Sequence, residues 1–174
     1  MNNCYLDAEA VITFFRITGR KHIFITGSRG SGKSYLVNNM LKHMSDSFNL
    51  LQSHRTDTPQ VVIKSNLVAD NKEFVIGLPR TSGINPASKG NNMTINESGF
   101  INCAIPAIDT HLDTTPEKLF VIDELGYLES SCISFQKAVE KLLDNSHVLA
   151  VIRKQSTEFL NRICNRRDVL VIDI

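Results

Sequence analysis

The sequence predicts an α/β fold, a three-layer sandwich with a mainly parallel central sheet. Three observations carry this expectation. Short apolar runs rich in β-branched and aromatic residues recur along the chain, with the length of strands buried on both faces. The segments between several of them repeat their apolar residues at helical spacing. The first run ends in a glycine-rich turn, GSRGSGKS over 27–34, which opens directly into such a periodic segment. Strands alternating with amphipathic helices bury their apolar faces as a parallel sheet covered on both sides.

The elements follow in chain order. Residues 1–20 read as an amphipathic helical extension through Leu6, Ala10, Phe14 and Ile17, with Gly19 as its stop. His22 to Thr26 is a buried strand, and residues 33–44 form a helix through Leu36, Val37, Met40 and Leu41. The stretch 52–99 reads as a variable insertion. Within it, Val61 to Ile63 and Phe74 to Ile76 suit a hairpin. Residues 81–99, TSGINPASKGNNMTINESG, are dense in turn formers and read as a long loop. A helix is expected from Phe100 to His111, with Pro106 unsettling its start. Residues 119–123, LFVID, form the next strand. Residues 131–145 follow as a helix through Ile133, Phe135, Val139, Leu142 and Leu143. Val148 to Ile152 is a strand, Thr157 to Cys164 a short helix, and Val169 to Ile174 the closing strand. With no internal repeat and no boundary composition, residues 1–174 are expected to form a single domain.

Composition narrows the class. Apolar residues make up 42 % of the 174, yet no run approaches the roughly 18 needed to cross a bilayer. The stretch from Leu6 to Ile17 is interrupted by Asp7, Glu9 and Arg16, unlike a signal peptide. A cytoplasmic protein with no membrane partner is the expectation. Lys plus Arg total 19 against 18 Asp plus Glu, a balance that gives no support for a nucleic-acid-binding face. The four cysteines show no C-x-x-C spacing and read as reduced thiols, and the five histidines form no ligand pattern.

Two motifs carry chemistry. The first is G-x-x-x-x-G-K-S, with Gly27, Gly32, Lys33 and Ser34 at the required spacing. Its backbone N–H groups, over Gly27, Ser28, Arg29, Gly30, Ser31 and Gly32 and on to Tyr35, are expected to cradle the phosphates of a nucleoside triphosphate such as ATP or GTP. Lys33 should reach the β- and γ-phosphates, and the Ser34 hydroxyl should coordinate Mg²⁺. The N-terminal end of the following helix adds a favourable dipole. A strand, this loop and a helix in succession mark the fold as that of P-loop NTPases. The second motif is LFVIDE, 119–124. An acid at the C-terminal end of a buried strand lies on the ligand edge of an open α/β sheet. Asp123 is therefore expected to hold Mg²⁺, and Glu124 to orient or deprotonate the attacking water.

The segment IDELGYLESSCISFQKAVEKLL, from Ile122, resembles the small nucleoside-triphosphatases known as the thermophile and cancer-related type. Their signature reads approximately D-E-I-G-K-M-E-L, then a Phe and a helix. Asp123, Glu124, Gly126, Glu129 and Phe135 fall on its positions. The tail LNRICNRRDVLVIDI and the segment ITGSRGSGKSYL look like the family's closing elements and its P-loop. The resemblance implies slow, Mg²⁺-dependent hydrolysis of several nucleoside triphosphates to diphosphate and phosphate. It also raises Glu129 as a further site residue. Departures lie in the parts that cover the nucleotide. FNLLQSHRTDTPQVVI keeps only Arg55 of the family's pattern there, Tyr127 replaces a Lys, and Arg29 stands where a small residue or Pro is usual.

Candidates for an arginine that stabilises the transferring phosphoryl group are Arg55, Arg29, Arg80 and Arg153, each of which also reads as an ordinary solvated or structural charge. Two other readings remain open at this point: a nucleotide-gated switch with an unknown protein partner, and a small-molecule kinase. The adjacent Asp123 and Glu124 favour hydrolysis, since a base beside the metal acid suits attack by water.

Overall fold

The computed structural model describes residues 7–44, 47–68, 72–79 and 93–174. Eight strands form one sheet: β1 His22–Gly27, β2 Phe48–Arg55, β3 Val61–Ser65, β4 Phe74–Pro79, β5 Met93–Ile95, β6 Leu119–Leu125, β7 His147–Arg153 and β8 Val169–Asp173. Their spatial order is β5-β4-β3-β2-β6-β7-β1-β8. The five strands from β2 to β8 in that order run parallel. The remaining three extend the sheet antiparallel beyond β2. The predicted sandwich is therefore present, with an antiparallel wing that contains the predicted β3–β4 hairpin.

Side-chain alternation makes the layers. Phe24 of β1, Phe120 and Ile122 of β6, and Val148, Ala150 and Ile152 of β7 face one way. They meet the helices α4 Ile105–Thr114, α5 Ile133–Asn145 and α6 Glu158–Cys164, through residues such as Ala107, Phe135, Leu142 and Phe159. Ile23, Ile25, Val121, Leu149 and Val151 face the opposite way, against α1 Ala8–Thr18 and α2 Lys33–Met44. Strands β1, β6 and β7 carry continuous apolar runs because both their faces are covered. Among the described residues, no helix is long and apolar enough to cross a membrane.

Several boundaries differ from the sequence reading. The N-terminal helix is present, capped by the Asp7 side chain and ended by Gly19 at φ 63°. Its buried face, however, is Ala8, Val11 and Ile12, while Phe14 and Ile17 of the expected apolar stripe are 55 % and 78 % exposed. Leu6 lies outside the described residues. Packing against α2 selects this stripe, because Val11 and Ile12 join Leu36, Val37 and Met40 in one buried cluster. Likewise Ile133, expected in the core, is exposed at the first turn of α5.

Strand β2 runs from Phe48 into the stretch 52–99 read as a variable insertion, yet it is a central parallel strand paired with β6. Its polar second half concealed it, since Gln52, Ser53, His54 and Arg55 break the apolar run that marks its neighbours. The expected 81–99 loop ends in strand β5 and the short helix α3 Glu97–Gly99, and its residues 81–92 lie outside the described residues. The helix expected over 100–111 starts as a π-helical turn, Phe100–Ala104, and continues as α4 to Thr114. Pro106 is the second residue of α4, just after the π-helical turn.

Beneath the sheet's other end, a buried polar chain joins the layers. Asn49 Nδ2 donates to His111 Nδ1 at 2.8 Å, and His111 Nε2 donates to Ser146 Oγ at 2.6 Å. Ser146 in turn donates to the Pro116 carbonyl at 2.8 Å. This arrangement needs a neutral imidazole, and burial lowers the proton affinity of His111 accordingly.

Candidate functional site

The site lies at the C-terminal ends of the parallel strands, the edge where open α/β sheets bind ligands. Strand β1 delivers the chain at Gly27 into the loop 28–32, and α2 begins at Lys33. The loop curls tightly. Gly32 adopts φ 94°, a left-handed conformation costly for any residue with a Cβ. At Gly27 a Cβ would collide with the Ile174 carbonyl oxygen and the Ser31 hydroxyl. Ser31 Oγ itself is buried, with no hydrogen-bond partner among the described residues. A buried hydroxyl of this kind is costly unless a ligand satisfies it. Lys33 is only 9 % exposed, and its ammonium donates to the carbonyls of Gly27 at 3.0 Å and Ser28 at 2.8 Å. The charge is thus held along the inner rim of the loop.

Strand β7 lies between β1 and β6 and links the two motifs. Arg153 at its end is in register with Gly27 on one side, and Val151 is in register with Asp123 on the other. Between Asp123 and Leu125 the β6–β7 register slips, so Glu124 is the extra residue of a bulge. Bulges re-aim a side chain at a strand end. The Glu124 carboxylate here accepts a hydrogen bond and ion pair from the Arg153 guanidinium. Asp123 is in register with Gln52 of β2. Burial raises the Asp123 carboxyl above its ordinary range, and the neighbouring Glu124 charge adds to this. A hydrogen bond from Gln52 and the Lys33 charge oppose it.

A cleft of about 860 Å³ opens over these residues. The loop lines it through Gly27, Ser28, Arg29, Gly30, Gly32, Lys33 and Ser34, and Tyr35 completes that wall. Opposite stand His54, Arg55, Glu124, Arg153, Lys154 and Gln155. Arg29, Arg55 and Arg153 therefore share one cavity with the loop, whereas Arg80 lies outside the described residues. Asp123 does not line the cleft, being one residue deeper on β6.

Glu129 is placed differently from the other acids. It is buried in the turn after β6. Gly126 N–H donates to its Oε2 at 2.9 Å, and Ser53 Oγ lies 3.3 Å from its Oε1. Burial pushes its carboxyl upward. Backbone N–H donors and, more weakly, Arg153 hold it down, while Glu124 adds to the rise. A Cβ at Gly126 would stand in ordinary contact with Glu129 Oε2 at 3.4 Å and with Arg153 at 3.5 Å, so the turn packs closely on both.

The sequence reading missed Gln52, Ser53 and His54, because the strand that presents them was not recognised. Lys154 and Gln155 were missed too, although their place just after the run 148–152 puts them on the ligand edge.

A family model described as NTPase matches residues 22–174. The nucleoside-triphosphatase THEP1 of Thermotoga sp. (strain RQ2) is 27 % identical, over 87 % of this chain and 85 % of that protein. The protein of the same name from Thermotoga maritima is 24 % identical, over 87 % and 85 %. Among solved structures, THEP1 from Aquifex aeolicus superposes with a TM-score of 0.68 at 19 % identity, covering 87 % of this chain and 88 % of that one. A human cancer-related nucleoside triphosphatase gives 0.65 at 19 % identity, covering 88 % of each. At that identity the two structures speak to the fold.

Proposed function

Because this chain belongs to the NTPase family over residues 22–174, we propose that it hydrolyses nucleoside triphosphates to diphosphate and phosphate with Glu124 directing the water. The observation that carries the assignment is the bulge at the end of β6. It turns a carboxylate into the cleft that the phosphate loop lines. The loop amides and Lys33 bind the β- and γ-phosphates. Glu124 accepts the proton of the water that attacks the γ-phosphorus. Arg153, already on Glu124, and Arg55 across the cleft are placed to meet charge that develops on the γ-phosphoryl oxygens.

A divalent cation fits the donor set. Ser34 offers a hydroxyl in the cleft at the first turn of α2, and Asp123 offers a carboxylate at the end of β6. One acid, one hydroxyl and substrate phosphates are the oxygen ligands that Mg²⁺ takes in such sites. Ser34 and Asp123 would hold it, and the ion would supply charge neutralisation on the phosphates. Slow turnover is supported by the Glu124–Arg153 pair, which must loosen before the carboxylate is available to water. Broad base preference is supported by the resemblance of the motifs. The continuous sheet from β5 to β8 supports one domain.

The test is phosphate release across ribo- and deoxyribonucleoside triphosphates, with Mg²⁺ or with excess EDTA. Comparable slow rates on all, lost with EDTA, are expected. Metal-independent release, or turnover confined to one base, would contradict the corresponding part of the proposal.

A further inference from the structure

Behind Glu124, on the side away from the phosphate loop, lies a second and smaller cavity of about 100 Å³. His54, Arg55, Glu124 and Arg153 line both this chamber and the large cleft, so they form the boundary between the two. No residue of the loop 27–35 reaches the chamber. Its polar wall is Ser53, Glu124, Glu129 and Arg153, and its apolar wall is Val61, Met93 and Leu128.

A water needs about 10–15 Å³ and two to four polar partners. The chamber has room for several, and two carboxylates, a hydroxyl and a guanidinium converge on it. Glu129 accepts from Gly126 and from Ser53, an arrangement that holds the turn after β6 rigid. Ser53 also reaches the Glu124 backbone carbonyl, at 3.4 Å. A water there would lie against the Glu124 carboxylate, which also faces the cleft that the phosphate loop lines. The apolar wall comes largely from the antiparallel wing, through Val61 of β3 and Met93 of β5.

We propose that this chamber is the nucleophile's site: it feeds the hydrolytic water past Glu124 to the γ-phosphorus and admits a small alcohol in its place. The inference rests on the hydrolytic reading above. With methanol the methanol oxygen bonds to the γ-phosphorus. The bond from that phosphorus to the bridging oxygen breaks, the nucleoside diphosphate leaves with that oxygen, and the methanol proton passes to Glu124. The products are methyl phosphate and the diphosphate.

Substitutions at Val61, which lines the chamber and not the cleft over the phosphate loop, test this. Val61→Phe fills the chamber and is expected to lower kcat by about ten- to a hundredfold, as small misplacements of a nucleophile do. Its nucleotide affinity and melting temperature should stay near those of the unmodified protein. In water–methanol mixtures followed by ³¹P NMR, the unmodified protein should form methyl phosphate beside inorganic phosphate. Val61→Ala should raise the methyl phosphate fraction. Where Val61→Phe fails to fold, the Val61→Ala product ratio decides. A folded, nucleotide-binding Val61→Phe that turns over at the unmodified rate would overturn the proposal. So would a product ratio that Val61→Ala leaves unchanged. If the unmodified protein released no phosphate at all, the hydrolytic reading itself would fail, which is a distinct outcome.

Discussion

At the scale of single residues, the acids of this site divide by what surrounds them. Glu124 sits at a bulge and meets Arg153 in the cleft, whereas Glu129 is buried and spends its oxygens on Gly126 and Ser53. The two share one signature in the sequence but do different work. Removing the Glu129 carboxylate leaves the Gly126 N–H without its acceptor inside the protein. Glu129→Ala is therefore expected to destabilise the fold by about 1–3 kcal/mol, and Glu129→Gln by less, because the amide oxygen can still accept. Urea unfolding of the two variants checks this; equal midpoints for Ala and Gln would contradict it. Spacing alone points to Lys33, Ser34, Asp123 and Glu124, because each proposed chemistry is tied to a fixed offset from a strand end. Nothing in the spacing distinguished the buried Glu129 from the cleft-facing Glu124. That distinction comes from the register slip after Asp123 and from a strand, β2, that brings Ser53 alongside.

Elements were legible where both faces of a strand are buried and where a helix carries a single apolar stripe. Strands β1, β6 and β7 are continuous apolar runs for that reason. Strand β2 was not legible, since half of it lines the site and is polar. The first helix was legible as a helix, through Asp7, its periodicity and Gly19, but not in its rotation. Two apolar stripes compete along it, and only contact with α2 chooses between them. This choice has a measurable consequence. Ile12→Ala should cost about 2–4 kcal/mol, the usual range for emptying a core position. Phe14→Ser should change stability by no more than about 0.5 kcal/mol, as surface substitutions do. Chemical denaturation of both proteins checks the pair, and a larger loss for Phe14→Ser would mean that the other stripe is the buried one.

On the scale of the whole molecule, function comes from strand order. Motifs separated by about ninety positions meet because β1 and β6 are parallel and only β7 lies between them. The sequence announces the parallel sheet, but it does not announce that order, since no local pattern records which strand neighbours which. The order is what places Arg153 beside both Gly27 and Glu124, and the antiparallel wing is what closes the chamber behind Glu124. The account turns on a division of labour across this edge, with the loop binding the triphosphate and Glu124 directing water. Its most direct test is Glu124→Gln, measured for nucleotide affinity and for single-turnover phosphate release in the same preparation. The account predicts affinity close to that of the unmodified protein and release slower by about a hundred- to ten-thousandfold. Release at the unmodified rate would contradict it.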